Sequence, residues 1–302
     1  MTLDERLIAA RSSAAVGPVL ATGILRLRGR DSLPYLHRMC TQDVARLAPG
    51  GSAYAAFLDA RGRLVGEGIV AAGEGEALLV VEPCELGPLA AHLGRYVVAD
   101  DVALEDVSGE LRALPVLGQG GVTRARALGP ATTLVASPRR GAPAVEVLGA
   151  PGAVEEARRA LVADGAVELS EEDLEILRIE EGLARFGHDM DGERLPMEAG
   201  LTSAAIHFGK GCYIGQEVVL RATMRGHLQK GLVQLALPAG AAPGSRLLSG
   251  ADEVGWVTSA AETTRGRLGL GYVRRAHWRE GAVLRTVAGD ARVTKVIVHE
   301  PA

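Results

Sequence analysis

Short apolar runs separated by turn residues dominate the first two thirds of the chain, and helical spacing occurs between some of them. The runs that predict strands are Thr22–Arg28, Ala53–Leu58, Leu64–Ala71, Ala77–Val81, Val102–Val107, Ala113–Leu117, Thr132–Ala136 and Ala144–Leu148. Helical spacing predicts Ser32–Met39, Leu86–Tyr96, Ala153–Ala163 and a helix that starts at Ser170. The uncharged stretch Ser12–Leu25 is interpreted as chain that enters the first strand. Two mixed units of similar size predict an α+β fold with a duplicated subdomain.

The pattern changes after Lys230, where short apolar runs alternate with Gly, Pro and Asp turns. These runs are Leu232–Leu237, Val254–Thr258, Leu268–Val273, Val283–Val287 and Val293–Val298. Their spacing predicts a small antiparallel sheet or barrel. We therefore expect one region over residues 1–225, with subdomains at roughly 1–110 and 111–225, and a C-terminal β-barrel domain over residues 226–302.

Composition and charge argue against several classes of function. Lys plus Arg number 33 and Asp plus Glu number 37, so the net charge of −4 argues against direct nucleic-acid binding. Cys40, Cys84 and Cys212 are widely spaced and form no zinc-ligand pattern, so no metal site is predicted. We expect a reducing cytoplasm, with Cys40 and Cys84 in the core. No apolar run is long enough to span a bilayer, so no membrane partner is expected.

The segment Leu195–Lys230 carries the candidate chemistry, because it is rich in Gly and lies between the two expected domains. Within it, Gly209–Glu217 fits neither a dinucleotide fingerprint nor a phosphate-binding loop. We predict a loop that opens onto a helix around Gly215–Met224. Cys212 would lie just before that helix, where the helix dipole and Lys210 favour the thiolate. The alternative is a small buried cysteine that packs a tight loop.

Glu198 is flanked by apolar residues and is expected to be partly desolvated. Such a carboxylate accepts two parallel hydrogen bonds from a planar N–H pair, as on a guanidine or a pterin ring. The alternative is a salt bridge to one of the many arginines.

Glu217, Arg221 and Arg225 share a helix face at four-residue spacing. They form either a solvated ion pair or a charged rim around an anionic ligand tail or RNA phosphate. His207 is a candidate base for Cys212, although no third, orienting group is evident from the sequence.

Lys210–Glu217 reads KGCYIGQE and resembles the K-G-C-Y-x-G-Q-E motif of the YgfZ-type folate-binding proteins. These proteins are relatives of the glycine-cleavage T-protein, an aminomethyltransferase. The likeness continues in order along the chain at Tyr35–Val44, Phe57–Leu64, Leu177–Gly182 and Val254–Ser259.

The resemblance implies two ferredoxin-like α+β subdomains and a C-terminal antiparallel β-barrel, arranged around a central hole that holds tetrahydrofolate. It also implies that Glu198 matches the carboxylate that binds the pterin ring. The other residues expected to bind the cofactor are Lys210, Gly211, Tyr213, Gln216, Glu217 and Arg221. Cys212 is expected to be a redox or sulfur-ligating thiol.

One position departs from the T-protein pattern. The T-protein hairpin carries its catalytic Asp where this chain has Gly66, and Glu67 is one residue away. In a strand, Glu67 would point to the opposite face. Losing a positioned acid–base group typically removes about 10²–10⁴-fold of rate.

The resemblance therefore implies a folate-binding accessory factor that helps assemble or repair iron–sulfur clusters. Its partners would be iron–sulfur client enzymes or assembly proteins, and tRNA modification would be affected through enzymes that carry clusters. The alternative is a tetrahydrofolate-dependent aminomethyl or one-carbon transferase in which Glu67 stands in for the missing Asp. A third hypothesis, RNA contact through Arg221, Arg225 and Lys230, is disfavoured by the acidic net charge.

Overall fold

The computed structural model describes residues 1–224 and 228–298, which fold into two compact units. The first unit comprises Met1–Leu58, Val65–Leu174 and Ala204–Ile214. The second comprises Asp59–Leu64, Glu175–Ser203 and the described residues from Gly215 onward. Compactness thus groups Glu175–Ser203 with the C-terminal part of the chain. The boundary expected near residue 226 rests on the change of sequence pattern and stays a prediction.

The first unit contains two five-stranded sheets. The strands of one sheet, in spatial order, are β3 (Ser52–Leu58), β4 (Leu64–Ala72), β5 (Glu76–Val81), β2 (Gly23–Arg28) and β6 (Ala103–Asp106). Its apolar core is shared with two helices, α2 (Ser32–Met39) and α3 (Pro83–Gly94). The predicted strands and α2 are confirmed. Helix α3 begins earlier than predicted, because Pro83 takes a first-turn position where its missing N–H costs no hydrogen bond.

The strands of the other sheet, in spatial order, are β10 (Val167–Glu168), β1 (Ala15–Val16), β7 (Arg112–Leu117), β9 (Ala144–Gly149) and β8 (Thr133–Ala136). The helices of this half are α1 (Leu3–Ser12), α4 (Gln119–Ala125) and α5 (Pro151–Ala163). Helix α1 was not predicted, although Thr2 and Glu5 form the reciprocal hydrogen bonds of a capping box. The stretch Ser12–Leu25 was expected to lead directly into the first predicted strand, which is β2. In the structure it first forms β1 of this sheet and then reaches β2 of the other, which corrects that expectation.

The second unit contains a closed antiparallel barrel. Its strands, in spatial order, are β11 (Lys230–Ala236), β14 (Gly266–Arg274), β13 (Asp252–Thr263), β12 (Arg246–Ser249), β15 (Val283–Thr286) and β16 (Gly289–Val296). The sequence pattern missed β12, because this four-residue strand has only two apolar positions. The α+β class with a C-terminal antiparallel barrel confirms the expected fold class.

A buried ion pair joins the helix α6 (Glu171–Glu181) to the barrel. Arg178 donates to Asp189 over 2.6 Å and to the Ser259 hydroxyl on β13 over 2.8 Å. Ser259 in turn donates to the second oxygen of Asp189. Arg178 lies in the Leu177–Gly182 segment of the resemblance, and it links α6 to Asp189 and to β13 within the second unit.

Two further helices are α7 (Thr202–Ala205) and α8 (Gln216–Met224). The described helices include none with the length and hydropathy that crossing a membrane requires.

Candidate functional site

The Cys212 thiol is exposed, as is the neighbouring Gly211. The alternative in which Cys212 packs a tight loop as a buried residue is therefore wrong. Cys40 is buried as expected, and burial raises the pKa of its thiol to about 11. Cys84 was expected in the core but is exposed, because it lies in the first turn of α3.

Lys210 is buried, and its ammonium group is enclosed by backbone carbonyls at the end of α2. Nζ donates to the carbonyl oxygens of Cys40 (2.7 Å) and Gln42 (2.9 Å), and also to that of His37. An ammonium has three N–H donors, so this set uses all of them. Burial lowers the pKa of Lys210, because desolvation disfavours the charged form. Lys210 therefore ties the KGCY segment to the chain that follows α2.

Tyr213, which follows Cys212 in the chain, also contacts the Lys210 ammonium group. Lys210 Nζ lies 5.0 Å from the centre of the Tyr213 ring, a cation–π contact. Burial raises the pKa of Tyr213 to about 12. Lys210 and Tyr213, on the two sides of the exposed Cys212, are thus fixed by these contacts, and the thiol lies on an anchored loop.

The structure adds a histidine that sequence reasoning missed. His37 Nδ1 lies 3.2 Å from Asp43 Oδ1, and burial together with the charge of Lys210 lowers the pKa of His37. Asp43 lies in the Tyr35–Val44 segment of the resemblance, and that segment was the available signal. His207 uses its backbone N–H on the carbonyl of Thr41, and no hydrogen bond joins it to Cys212 in the described part of the chain.

The hairpin that carries Gly66 and Glu67 confirms that the two residues face different neighbours. A Cβ at Gly66 would lie 3.0 Å from Oε1 of Glu85, so the Glu85 carboxyl fills the space beside it. The Glu67 side chain is 1% exposed and lies 3.3 Å from Arg139. Burial raises the pKa of Glu67 while the Arg139 charge opposes that shift. Glu67 is thus held in a buried ion pair.

Glu198 lies in the second unit and is largely buried. Its Oε2 accepts a hydrogen bond from the backbone N–H of Leu195 over 3.2 Å. Its backbone carbonyl accepts one from Leu232 of β11 over 2.8 Å. Burial raises the pKa of Glu198, and this outweighs the nearby charges of Lys230 and Arg194, which lower it. The expected partly desolvated carboxylate is present in the structure.

An aromatic and cationic cluster lies in the same unit as Glu198. The rings of Trp256 and Tyr272 stack with their centres 5.4 Å apart. The Arg194 guanidinium lies 5.0 Å from the centre of each ring, and Lys230 Nζ lies 5.5 Å from that of Trp256. Only Lys230 of these four was considered from the sequence, and then for RNA contact. The aromatic residues sit on barrel strands, where apolar spacing alone predicts packing and not a site.

The helix α8 carries the remaining predicted binding residues. Glu217 and Arg221 form an i,i+4 ion pair in which the side chains are 83% and 69% exposed, as the solvated alternative predicts. Gln216 begins the helix. Arg225 falls outside the described residues. Cofactor binding by Gln216, Glu217 and Arg221 stays a prediction.

Residues 3–127 match the family model described as the GCVT N-terminal domain. An aminomethyltransferase from Rubrobacter xylanophilus is 30% identical to this chain over 290 residues, which cover 88% of this chain and 77% of that protein. The chain belongs to the aminomethyltransferase family. The expected relationship to the T-protein is confirmed at this level.

The chain is also similar to a protein with a different name and to a solved aminomethyltransferase structure. An iron–sulfur cluster assembly factor IBA57 homolog from Phaeosphaeria nodorum is 28% identical, over 76% of this chain and 57% of that protein. The crystal structure of the glycine cleavage system aminomethyltransferase T from Bartonella henselae superposes with a TM-score of 0.84. That match covers 99% of this chain and 90% of the other at 18% identity, and it shows the shared fold.

Proposed function

We propose that this family member is a tetrahydrofolate-binding accessory factor of the YgfZ type, which helps assemble or repair iron–sulfur clusters. The observation that carries the proposal lies in the β3–β4 hairpin. Gly66 has no side chain, the Glu85 carboxyl fills the space beside it, and Glu67 is buried against Arg139. An acid–base catalyst needs a carboxylate that reaches its substrate, and neither residue supplies one.

The donor and acceptor groups around Glu198 fit a reduced pterin. Glu198 offers a desolvated carboxylate to a planar N–H pair, while Arg194 and Tyr272 are polar neighbours on the same unit. Bound tetrahydrofolate would supply a reduced ring and a one-carbon carrier. Gly211, Tyr213, Gln216, Glu217 and Arg221 are proposed as further contacts, on the resemblance alone.

Cys212 is the proposed sulfur-ligating or redox thiol. It is exposed, and Lys210 and Tyr213 fix the loop on which it lies. An accessible thiolate is the form that binds metals and attacks electrophiles. The relative named as an iron–sulfur cluster assembly factor supports this role. The proposed partners are iron–sulfur client enzymes or assembly proteins in the cytoplasm, and tRNA modification would be affected through such enzymes.

The first test is anaerobic calorimetric titration of tetrahydrofolate into the wild-type protein, Glu198→Ala and Glu193→Ala. Glu193 is the control, because it is a carboxylate of the same segment that pairs with Arg63 at the surface. We expect binding to the wild type and to Glu193→Ala, and at least tenfold weaker binding to Glu198→Ala. Absence of binding to the wild type would contradict a folate-dependent role.

The second test measures an iron–sulfur enzyme in a strain that lacks this protein. Complementation by Cys212→Ser is compared with that by Cys84→Ser, which removes another exposed thiol. We expect Cys84→Ser to restore the enzyme activity and Cys212→Ser to fail. Full restoration by Cys212→Ser would remove the thiol from the proposal.

A tetrahydrofolate-dependent aminomethyl or one-carbon transferase is the second candidate function. The relative named aminomethyltransferase, which is 30% identical to this chain, favours it. It predicts folate turnover with a methylene donor and a loss of that turnover in Glu67→Gln. If saturating tetrahydrofolate gives no turnover, the accessory role stands alone.

A further inference from the structure

Two buried polar groups in the second unit lack a hydrogen-bond partner. Among residues 1–224 and 228–298, neither Tyr272 Oη nor Arg194 Nη1 has one, and Tyr272 is 0% exposed. Buried donors are almost always satisfied in folded proteins, because leaving one unpaired forfeits its interaction with water. Two such donors on neighbouring side chains point to an acceptor supplied from outside the chain.

These two donors are linked to Glu198 by short connections. The Arg194 guanidinium lies 5.0 Å from the centre of the Tyr272 ring. The next residue, Leu195, donates its N–H to the Glu198 carboxylate. Leu232 donates its N–H to the Glu198 carbonyl and is the direct partner of Tyr272 across β11 and β14. The carboxylate and the two unpaired donors therefore lie on backbone segments that are joined to one another by hydrogen bonds.

Both groups remain donors at neutral pH. Burial raises the pKa of Tyr272 well above its usual value, and the neighbouring carboxylates of Asp189, Glu198 and Asp191 act in the same direction. Its hydroxyl therefore stays protonated. An arginine keeps its charge at any pH at which the protein folds. The Glu198 carboxylate and the donors of Tyr272 and Arg194 therefore fit a ligand edge on which N–H groups lie beside an acceptor oxygen.

The amino-oxo-pyrimidine edge of a pterin has that order of groups. Its 2-amino and N3–H groups form the donor pair, and its 4-oxo oxygen lies directly beside N3. We propose that Tyr272 Oη and Arg194 Nη1 are positioning groups that donate to the 4-oxo oxygen while Glu198 accepts from the N–H pair. This inference rests on the proposed folate binding, and it adds a specificity. A ring with a 4-amino group would place its N–H donors against the donors of Tyr272 and Arg194, and such a ring is rejected.

The test uses Tyr272→Phe, which removes only the hydroxyl. Tyr35→Phe is the matched control, because that buried hydroxyl donates to the Leu93 carbonyl over 2.5 Å. The ligands are tetrahydrofolate and its 2,4-diamino counterpart, titrated anaerobically by calorimetry, and thermal unfolding of each ligand-free variant is recorded.

We expect Tyr272→Phe to unfold at the wild-type temperature or above it, since its hydroxyl has no partner to lose. Its affinity for tetrahydrofolate should fall about tenfold, and its preference for the 4-oxo over the 4-amino ring should shrink by a similar factor. Tyr35→Phe should unfold at a lower temperature and bind both ligands as the wild type does.

Other outcomes separate the positioning role from the proposed function. Tyr272→Phe that unfolds earlier and binds normally would show a structural hydroxyl and overturn the inference, even if Glu198→Ala weakens binding. Equal wild-type affinity for the 4-oxo and 4-amino rings would also overturn it. Absence of binding to the wild type would overturn the folate proposal and this inference together.

Discussion

At the scale of single residues, Lys210 determines how the loop around Cys212 is held. Its three N–H donors meet the carbonyl of His37 in the last turn of α2, where helix carbonyls lack partners, and those of Cys40 and Gln42 just after the helix. The negative end of the helix dipole also favours a cation there. Lys210 therefore acts as a cap for α2, and its charge is not available to a ligand without breaking that cap.

We expect Lys210→Met to lower the free energy of unfolding by about 2–4 kcal/mol, because three charge-assisted hydrogen bonds are lost in a buried site. Lys295→Met is the control, since Lys295 donates to a single carbonyl, that of Glu181, at the surface. Urea unfolding measures both. Lys210→Met with unchanged stability and weakened tetrahydrofolate binding would instead identify Lys210 as a ligand-binding residue.

A second residue-scale feature is the buried carboxyl pair of Glu67 and Glu85. Both side chains are buried, and both backbone N–H donors to Glu85 come from its neighbours Glu67 and Glu82. Burial, followed by the Glu67 charge, raises the pKa of Glu85 to about 9. Arg139 lies 3.3 Å from Glu67, and its charge opposes the upward shift of the Glu67 pKa. Two buried acids with one cation make the stability of this unit depend on pH.

The direction in which stability changes with pH follows from the raised pKa values. Each carboxyl has a folded pKa above its unfolded value of 4.5, and that of Glu85 is about 9, so the folded state holds an extra proton on Glu85 at neutral pH. Stability contributed by these groups is fully present below pH 4.5 and is lost as pH rises toward 9. Arg139→Met raises the pKa of Glu67 further, since it removes the opposing charge.

We therefore expect Arg139→Met to cost about 3–5 kcal/mol at pH 8 and much less at pH 5. The added slope is at most about 1.4 kcal/mol per pH unit, the value for one proton. Urea unfolding across pH 5–8 measures it, with Arg158→Met, at a partly exposed ion pair with Glu155, as control. A cost for Arg139→Met that does not change with pH would contradict the linkage.

At the scale of elements, the β3–β4 hairpin depends on Gly62. The turn is closed by Asp59, whose carboxylate accepts from the N–H groups of Arg61 and Arg63. Gly62 has φ +73°, and a Cβ there would lie 2.7 Å from the Cβ of Val218 on α8. The glycine is thus required both by backbone conformation and by a close approach.

Gly62→Ala and Gly75→Ala separate these two requirements. Gly75 has the same φ of +73° but nothing within 4 Å of its position for a Cβ. We expect Gly75→Ala to cost about 1 kcal/mol for the left-handed conformation, and Gly62→Ala to cost about 1–3 kcal/mol more for the contact. Thermal and urea unfolding measure the difference. Equal losses would show that Val218 moves aside freely.

At the scale of the whole molecule, each compact unit is assembled from separate stretches of chain. Glu175–Ser203 belongs with the barrel, and Arg178 is one physical reason. Its guanidinium joins Asp189 and Ser259, and Thr258 also donates to Asp189. Residues far apart in sequence are thereby held in a single buried polar network.

We expect Arg178→Met to destabilise the second unit by about 3–5 kcal/mol, because Asp189 is left buried without its cation. Limited proteolysis should then cut within residues 182–197 sooner than in the wild type. Arg285→Met, on an exposed position of β15, is the control. Wild-type resistance to proteolysis in Arg178→Met would mean that packing alone holds the segment.

Much of the fold was predictable because local patterns determine it. The helix Ser32–Met39 and most strands agree with their apolar spacing, and α6 follows Ser170, which exchanges hydrogen bonds with Asp173. Helix α1 was missed although its capping box is visible in the sequence. Strand β12 was missed because four residues carry too little periodicity to be recognised.

The sequence by itself determined the order of elements, the family resemblance of the KGCYIGQE segment and the absence of an Asp at position 66. The tertiary structure alone decided what each polar group meets. Lys210 meets carbonyls, Glu67 meets Arg139, and Tyr272 Oη meets no partner among the described residues. The physical reason is the separation along the chain over which each effect acts. Periodicity and capping act within a few residues, whereas desolvation and pairing depend on residues that only folding brings together.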